Sequence, residues 1–142
     1  MKQLLVAFIA LLGLSLPVHA EQLKNIGELE VHYSTFPSTF LTPEVAKTYR
    51  IQRSRYSALI NVTVLDSSVE GKPAVAAVVK GTARNLVGTE KNLTFREIRE
   101  GDAIYYIAEL SHANEERFRF NIDVSRQSTR GNIQFEQTYF AE

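Results

Sequence analysis

From Arg117 to Val124 the chain alternates without a break. Phe118, Phe120, Ile122 and Val124 fall on one side, and Arg117, Arg119, Asn121 and Asp123 on the other. A period of two is the repeat of extended backbone, so the segment reads as a strand with one face on a core and one in water. Glu28 to Thr35 repeats the pattern, with Leu29, Val31 and Tyr33 opposite Glu28, Glu30, His32 and Ser34. A chain with two such strands must bury their apolar faces against a second apolar layer, which restricts how the rest of it can fold.

The remaining segments fit that restriction. Ser57 to Leu65 and Ala103 to Leu110 are apolar on both faces and read as central strands. Asp66-Ser67-Ser68 and Gly71-Lys72-Pro73 supply turn chemistry ahead of a strand at Ala74 to Ala83. Asn85 to Asn92 reads as a polar connection, Leu93 to Arg99 as a weaker strand near an edge, and Glu100-Gly101-Asp102 as a tight turn. Ser111 to Glu116 turns the chain, Ser125 to Asn132 reads as a polar loop, and Ile133 to Phe140 as the last strand. One short helix interrupts the strands. Thr42 is a good N-cap, Pro43 suits the first helical position, and Glu44 suits the positive end of the dipole. Val45 and Tyr49 share a helix face four residues apart, and the helix is expected to stop near Tyr49 or Arg50. About seven strands with turns every 8–12 residues or so predict an all-β fold. The expected form is a single antiparallel, immunoglobulin-like β-sandwich with one short helix; a small closed barrel is the alternative.

Residues 1–20 belong to a different grammar. Lys2 precedes an apolar run from Leu4 to Leu16, then Pro17, then Val18-His19-Ala20. That is a secretory signal peptide cut after Ala20, giving a division into 1–20 and a β-sandwich domain at 21–142. The expected address is the periplasm, with a short tail after Glu21 outside the fold. Of the 16 basic residues only Lys2 precedes Glu21, and none of the 16 acidic residues does, so the mature balance is 15 against 16. Such a chain has no global field to hold nucleic acid or an anionic membrane, which leaves only local patches for such contacts. It contains no cysteine, so thiol nucleophiles, thiolate metal sites and disulfides are excluded. No second apolar run is long enough to anchor it in a membrane after cleavage.

Two neighbouring segments concentrate recognition chemistry. Tyr49, Arg50, Arg53, Arg55 and Tyr56 bring guanidinium forks and phenols together, a composition suited to carboxylate or phosphate. Phe36 and Phe40 stand in the preceding turn as apolar anchors. The plainer readings are a loop whose arginines pair with Glu97, Glu100 or Asp102, and aromatics folded over the open end of the sandwich. Glu28, Glu30 and His32 share a strand face, and His112 lies near Glu115 and Glu116, but neither set has the spacing of a metal site. No glycine-flanked nucleophile and no phosphate-cradling loop is present, so no catalytic residue, metal or cofactor is assigned.

The string His32-Tyr33-x-x-Phe36-x-Ser38-Thr39-Phe40-Leu41-x-Pro43-Glu44-Val45-Ala46 continues into Tyr49-x-Ile51-x-Arg53-Ser54 and Asn61-Val62. With Glu100-Gly101-Asp102-Ala103-Ile104-Tyr105-Tyr106-Ile107 it resembles a family of small exported bacterial proteins of unknown function, the DUF4426 family. The resemblance implies a periplasmic β-rich domain and brings no catalytic residue, cofactor or substrate.

The leading expectation is therefore a non-catalytic periplasmic interaction module whose partner is a protein or a small anionic ligand. One alternative is a small-ligand carrier or enzyme with a pocket near Phe36, Phe40, Tyr49 and Arg53. Another is a chaperone-like role through an exposed edge strand at Leu93 to Arg99.

Overall fold

The computed structural model describes residues 21–141; the expected signal peptide falls on residues 1–20, outside the described residues. In chain order the strands are β1 (Gln22–Ile26), β2 (Leu29–Pro37), β3 (Ser57–Asp66), β4 (Val78–Asn85), β5 (Glu90–Leu93), β6 (Arg96–Glu100), β7 (Ala103–Ser111), β8 (Glu116–Arg126) and β9 (Thr129–Tyr139). A 3-10 turn at Ser38–Phe40 and helix α1 (Pro43–Thr48) lie between β2 and β3. One sheet has the order β1-β2-β3-β7-β6 and the other β5-β4-β8-β9, and all pairings are antiparallel. The expected sandwich is thus the fold.

Alternation builds its core. Phe118, Phe120, Ile122 and Val124 of β8 are fully buried, as are Val31, Ile60, Val62 and Val64 from the facing sheet. Each such side chain contributes roughly 1.5–3 kcal/mol by leaving water. Phe120 stacks on Phe135 at 4.6 Å between centroids, and Phe135 meets Tyr33 of the other sheet at 5.1 Å. A polar contact also crosses the layers. The Tyr139 hydroxyl lies 2.6 Å from Thr35 Oγ1, which itself donates to the Leu59 carbonyl at 2.9 Å. With the Thr35 proton used on Leu59, Tyr139 is the donor between the two hydroxyls. Burial, the larger influence, pushes the Tyr139 phenol well above its ordinary range, so it stays protonated and able to donate.

Several expectations need correction. The segment after Glu21 is no free tail: β1 pairs along its whole length with β2. Residues 85–92 are not wholly a connection, because β5 begins at Glu90. The expected strand at Leu93 to Arg99 is split, its start ending β5 in one sheet and Arg96 starting β6 in the other. Residues 125–132 are mostly strand, with the turn confined to Gln127 and Ser128. The strand expected from Ala74 starts only at Val78. Ala74 bridges Leu65 of the first sheet while Val78 pairs with Ser125 of the second, so residues 74–77 carry the chain between layers. Among the described residues nine strands replace about seven. In α1, Ala46 rather than Val45 meets the sheet: Ala46 is 3% exposed and Val45 39%. A six-residue helix lying close to a sheet needs its smallest side chain underneath.

Helix α1 and its flanks cover part of the outer face of the five-stranded sheet. Ala46, Ile51 and Leu59 form a second apolar cluster there, with Phe36, Leu41, Tyr49 and Ile107 packed against it. Towards the other end that face is open.

Candidate functional site

The cap over the sheet, residues 38–56, is held by its own polar side chains. Thr42 Oγ1 accepts the Val45 N–H at 3.2 Å, Pro43 opens the helix, and Glu44 sits in its first turn. At the other end Arg50 N–H donates to the Lys47 carbonyl at 3.2 Å and Ile51 N–H to the Ala46 carbonyl at 2.8 Å. These two bonds form a Schellman closure, with Ile51 and Ala46 supplying its apolar contact. The closure places Arg50 at φ 56°, a left-handed conformation that glycine adopts easily and a branched side chain does not.

Ser38 latches the loop. Its fully buried hydroxyl donates to the Ser54 carbonyl and accepts the Ser54 N–H, both at 2.9 Å. Arg53 clamps the same loop, with Nε 2.7 Å from the Leu41 carbonyl and Nη2 3.2 Å from that of Thr39. The Tyr49 hydroxyl donates to the Glu100 carboxylate, and this bond, with some burial, raises the phenol above its ordinary range. Arg96 Nη2 donates to the Tyr49 carbonyl at 2.7 Å.

The seven candidate residues therefore divide. Phe36, Tyr49 and Arg53 are engaged in building the cap. Arg50, Arg55, Tyr56 and Phe40 face outward: Phe40 is 63% exposed, Tyr56 46%, and both arginines are exposed. The Arg55 guanidinium lies 5.3 Å from the centre of the Tyr56 ring, and Phe40 stands 6.1 Å from Phe36. Among the described residues none of the three arginines forms an ion pair with a carboxylate. Glu97, one of the carboxylates expected to pair with them, instead accepts from Tyr106 at 2.9 Å and Arg99 at 3.3 Å. Those two bonds, Tyr106 first, hold its carboxyl below the usual range.

A second polar group lies on the open half of the same sheet face, in a cleft of about 760 Å³. His32, Thr63, Leu65 and Tyr105 belong to strands there, and Lys72 and Asp102 to flanking loops. His32 Nδ1 is 2.8 Å from Glu21 and Nε2 2.9 Å from Glu30, so each ring nitrogen has a carboxylate within hydrogen-bond distance. Lys72 lies 2.9 Å from the other Glu30 oxygen, and its ammonium, followed by His32, holds the Glu30 carboxyl below its ordinary range. The expected alternation of Glu30 and His32 is there, but Glu21 takes the place given to Glu28. Glu28 could be discounted only from three dimensions, because β1 brings Glu21 beside His32. His112 is buried and stacked on Tyr139 at 5.0 Å, while Glu116 accepts from Asn85 and Ala113. No group of three or more His, Asp or Glu side chains among the described residues is arranged to hold a metal.

The sequence model of a domain of unknown function, DUF4426, matches residues 23–142. The chain belongs to the DUF4426 family. A DUF4426 family protein of Pseudomonas aeruginosa PAO1 is 34% identical, covering 86% of this chain and 96% of its own, with a TM-score of 0.75. FetP of uropathogenic Escherichia coli strain F11 is 12% identical, with coverage of 88% and 97% and a TM-score of 0.60. A copper-bound FetP variant is 12% identical, with coverage of 87% and 92% and a TM-score of 0.56. At that identity the FetP likeness concerns the fold of this DUF4426 chain. No curated protein matches it. No helix among its described residues is long and apolar enough to cross a membrane.

Proposed function

We propose that this DUF4426 chain is a non-catalytic periplasmic binding module. It contacts an acidic surface of a partner protein through Arg50, Arg55, Tyr56 and Phe40. One observation carries the reading: Arg50 occupies a left-handed position that glycine would relax, and its side chain is exposed without a carboxylate partner among the described residues. Backbone strain kept for an outward-facing guanidinium points to use of that side chain. The supporting geometry is the cap that holds it, fixed by Thr42, Ser38 and Arg53. Arginine and tyrosine are the side chains that anchor protein interfaces. FetP, a fold-mate, has a copper-bound variant, so a sandwich of this shape is compatible with binding work.

The two alternatives have less support. Phe36 and Tyr49 are packed in the cap and Arg53 is tied to carbonyls, so these side chains are already engaged and offer a ligand little. Edge strand β6 carries Arg96, Glu97, Arg99 and Glu100 among its five residues, a charge density that resists strand addition.

In-cell photocrosslinking tests the reading. A photoreactive residue at position 55 or 56 is expected to trap one protein. A capture pattern identical to that from Val69, in the loop at the opposite end of the sandwich, refutes it.

A further inference from the structure

The turn between β4 and β5 presents two adjacent apolar side chains to water: Leu86 is 82% exposed and Val87 86%. This is not a frayed loop. Asn85 N–H donates to the Thr89 carbonyl at 3.0 Å, Gly88 N–H to the Asn85 carbonyl at 3.1 Å, and Thr89 N–H to Asn85 Oδ1 at 2.8 Å. Asn85 Nδ2 is anchored in turn on Glu116 at 2.9 Å, and Gly88 takes the left-handed position at φ 88°. The result is a rigid three-residue hairpin loop that holds Leu86 and Val87 out from the fold. Phe140, 53% exposed, follows β9 at the same end of that sheet.

Behind the tip lie guanidiniums. Arg84 pairs with Arg119 across the β4–β8 ladder, and Arg117 is two residues away. All three line a concavity of about 210 Å³ with Leu86, Phe118 and Glu136. They are half exposed or more. Glu136 serves both Arg117 and Arg119, while Arg84 reaches Glu90 only at 4.0 Å, so the three cations face two acids.

Apolar side chains outermost, with arginines one step behind them, is the layering of a bilayer interface: acyl chains below, anionic headgroups above. A three-residue loop that exposes both side chains suits insertion into a lipid surface. We propose that the β4–β5 end of the four-stranded sheet docks reversibly on a membrane leaflet containing anionic phospholipid. Leu86 and Val87 enter the headgroup–acyl boundary, and Arg84 contacts a phosphate. The proposal uses none of the Arg50–Tyr56 cap residues and does not depend on the reading of that cap.

Vesicle co-sedimentation of the mature chain tests the proposal, with phosphatidylglycerol–phosphatidylcholine vesicles against phosphatidylcholine alone. The chain is expected to bind the anionic vesicles better. Leu86→Ser with Val87→Ser is expected to lower that binding at least about tenfold, since each loses most of a side chain's transfer to the apolar phase. Arg84→Gln is expected to lower it about fivefold on anionic vesicles alone. Val69→Ser, at the far end, changes nothing. Absence of vesicle binding, or equal binding by the double variant, overturns the proposal. Capture of one protein from position 87, without vesicle binding, overturns it in favour of a protein contact. Crosslinks from position 55 persisting in the double variant keep this result distinct from the fate of the cap.

Discussion

Arg50→Gly separates backbone strain from side-chain use. At φ 56° a non-glycine residue carries a cost of roughly 1–2 kcal/mol relative to glycine. The glycine variant loses that strain but gains disorder in the unfolded chain, worth about 0.4–1 kcal/mol in the opposite direction. The net expectation is a stabilisation of about 0.5–1 kcal/mol. Near 60 °C unfolding entropy is about 2.1 cal/mol/K per residue, so about 120 folded residues translate this into a rise in Tm of roughly 2–4 °C. Arg50→Ala removes the same guanidinium and keeps the left-handed alanine, so its Tm should stay within about 2 °C of the parent. Thermal melts of the three proteins in one buffer provide the comparison, and crosslinking from position 55 reports partner capture. Both variants should capture less partner while only the glycine variant gains stability. A glycine variant no more stable than the alanine variant refutes the strain argument. A glycine variant with full capture refutes the reason proposed for keeping the strain.

The hydroxyl chain across the sandwich predicts an asymmetry: Tyr139→Phe leaves Thr35 bonded to Leu59 and should cost about 1 kcal/mol, whereas Thr35→Val strands the Tyr139 hydroxyl and should cost more, up to about 3 kcal/mol by urea denaturation. Gly131→Ala should destabilise by about 1–3 kcal/mol, because a Cβ there would lie 2.5 Å from Ile26 Cδ1, and the loss should shrink in an Ile26→Ala background. For pH, the Glu30, Asp66, Glu97 and Glu136 carboxyls are all held below their ordinary range in the folded chain, Glu136 chiefly by Arg117 and then Arg119. Their contribution is present above the unfolded carboxylate range and is lost as pH falls through the lower folded values, so Tm should drop from about pH 5 towards pH 3. Glu136→Gln should flatten that drop; an unchanged pH profile would show that its ion pairs carry no stability.

Much of the sandwich was legible because the strands at its centre are locally patterned. Phe118 to Val124 alternate wherever that strand is placed, and Ala58, Ile60, Val62 and Val64 are buried as a two-sided apolar run suggests. The cap was legible for the same reason: Thr42, Pro43 and Glu44 act on backbone groups within one turn. The strand edges were not. In β1 only Ile26 is buried, so Gln22 to Asn25 read as tail although each is paired with β2. The candidate patch was half legible. Composition located Tyr49 to Tyr56, but which residues hold the cap and which face outward depends on Leu41, Thr39 and Glu100, whose positions composition does not encode.

Short-range periodicity carries the strand identities, the helix cap and the family strings, because an extended or helical backbone imposes its repeat on neighbouring side chains. Contacts between distant segments carry the rest. Gly131 reads as loop because it offers nothing to bury. In the fold it lies in β9, where the side chain of Ile26 occupies the space its own would need. Glu21 meets His32 only because β1 folds back on β2. Such fits arise when two layers close on each other, and no window along the chain contains both partners.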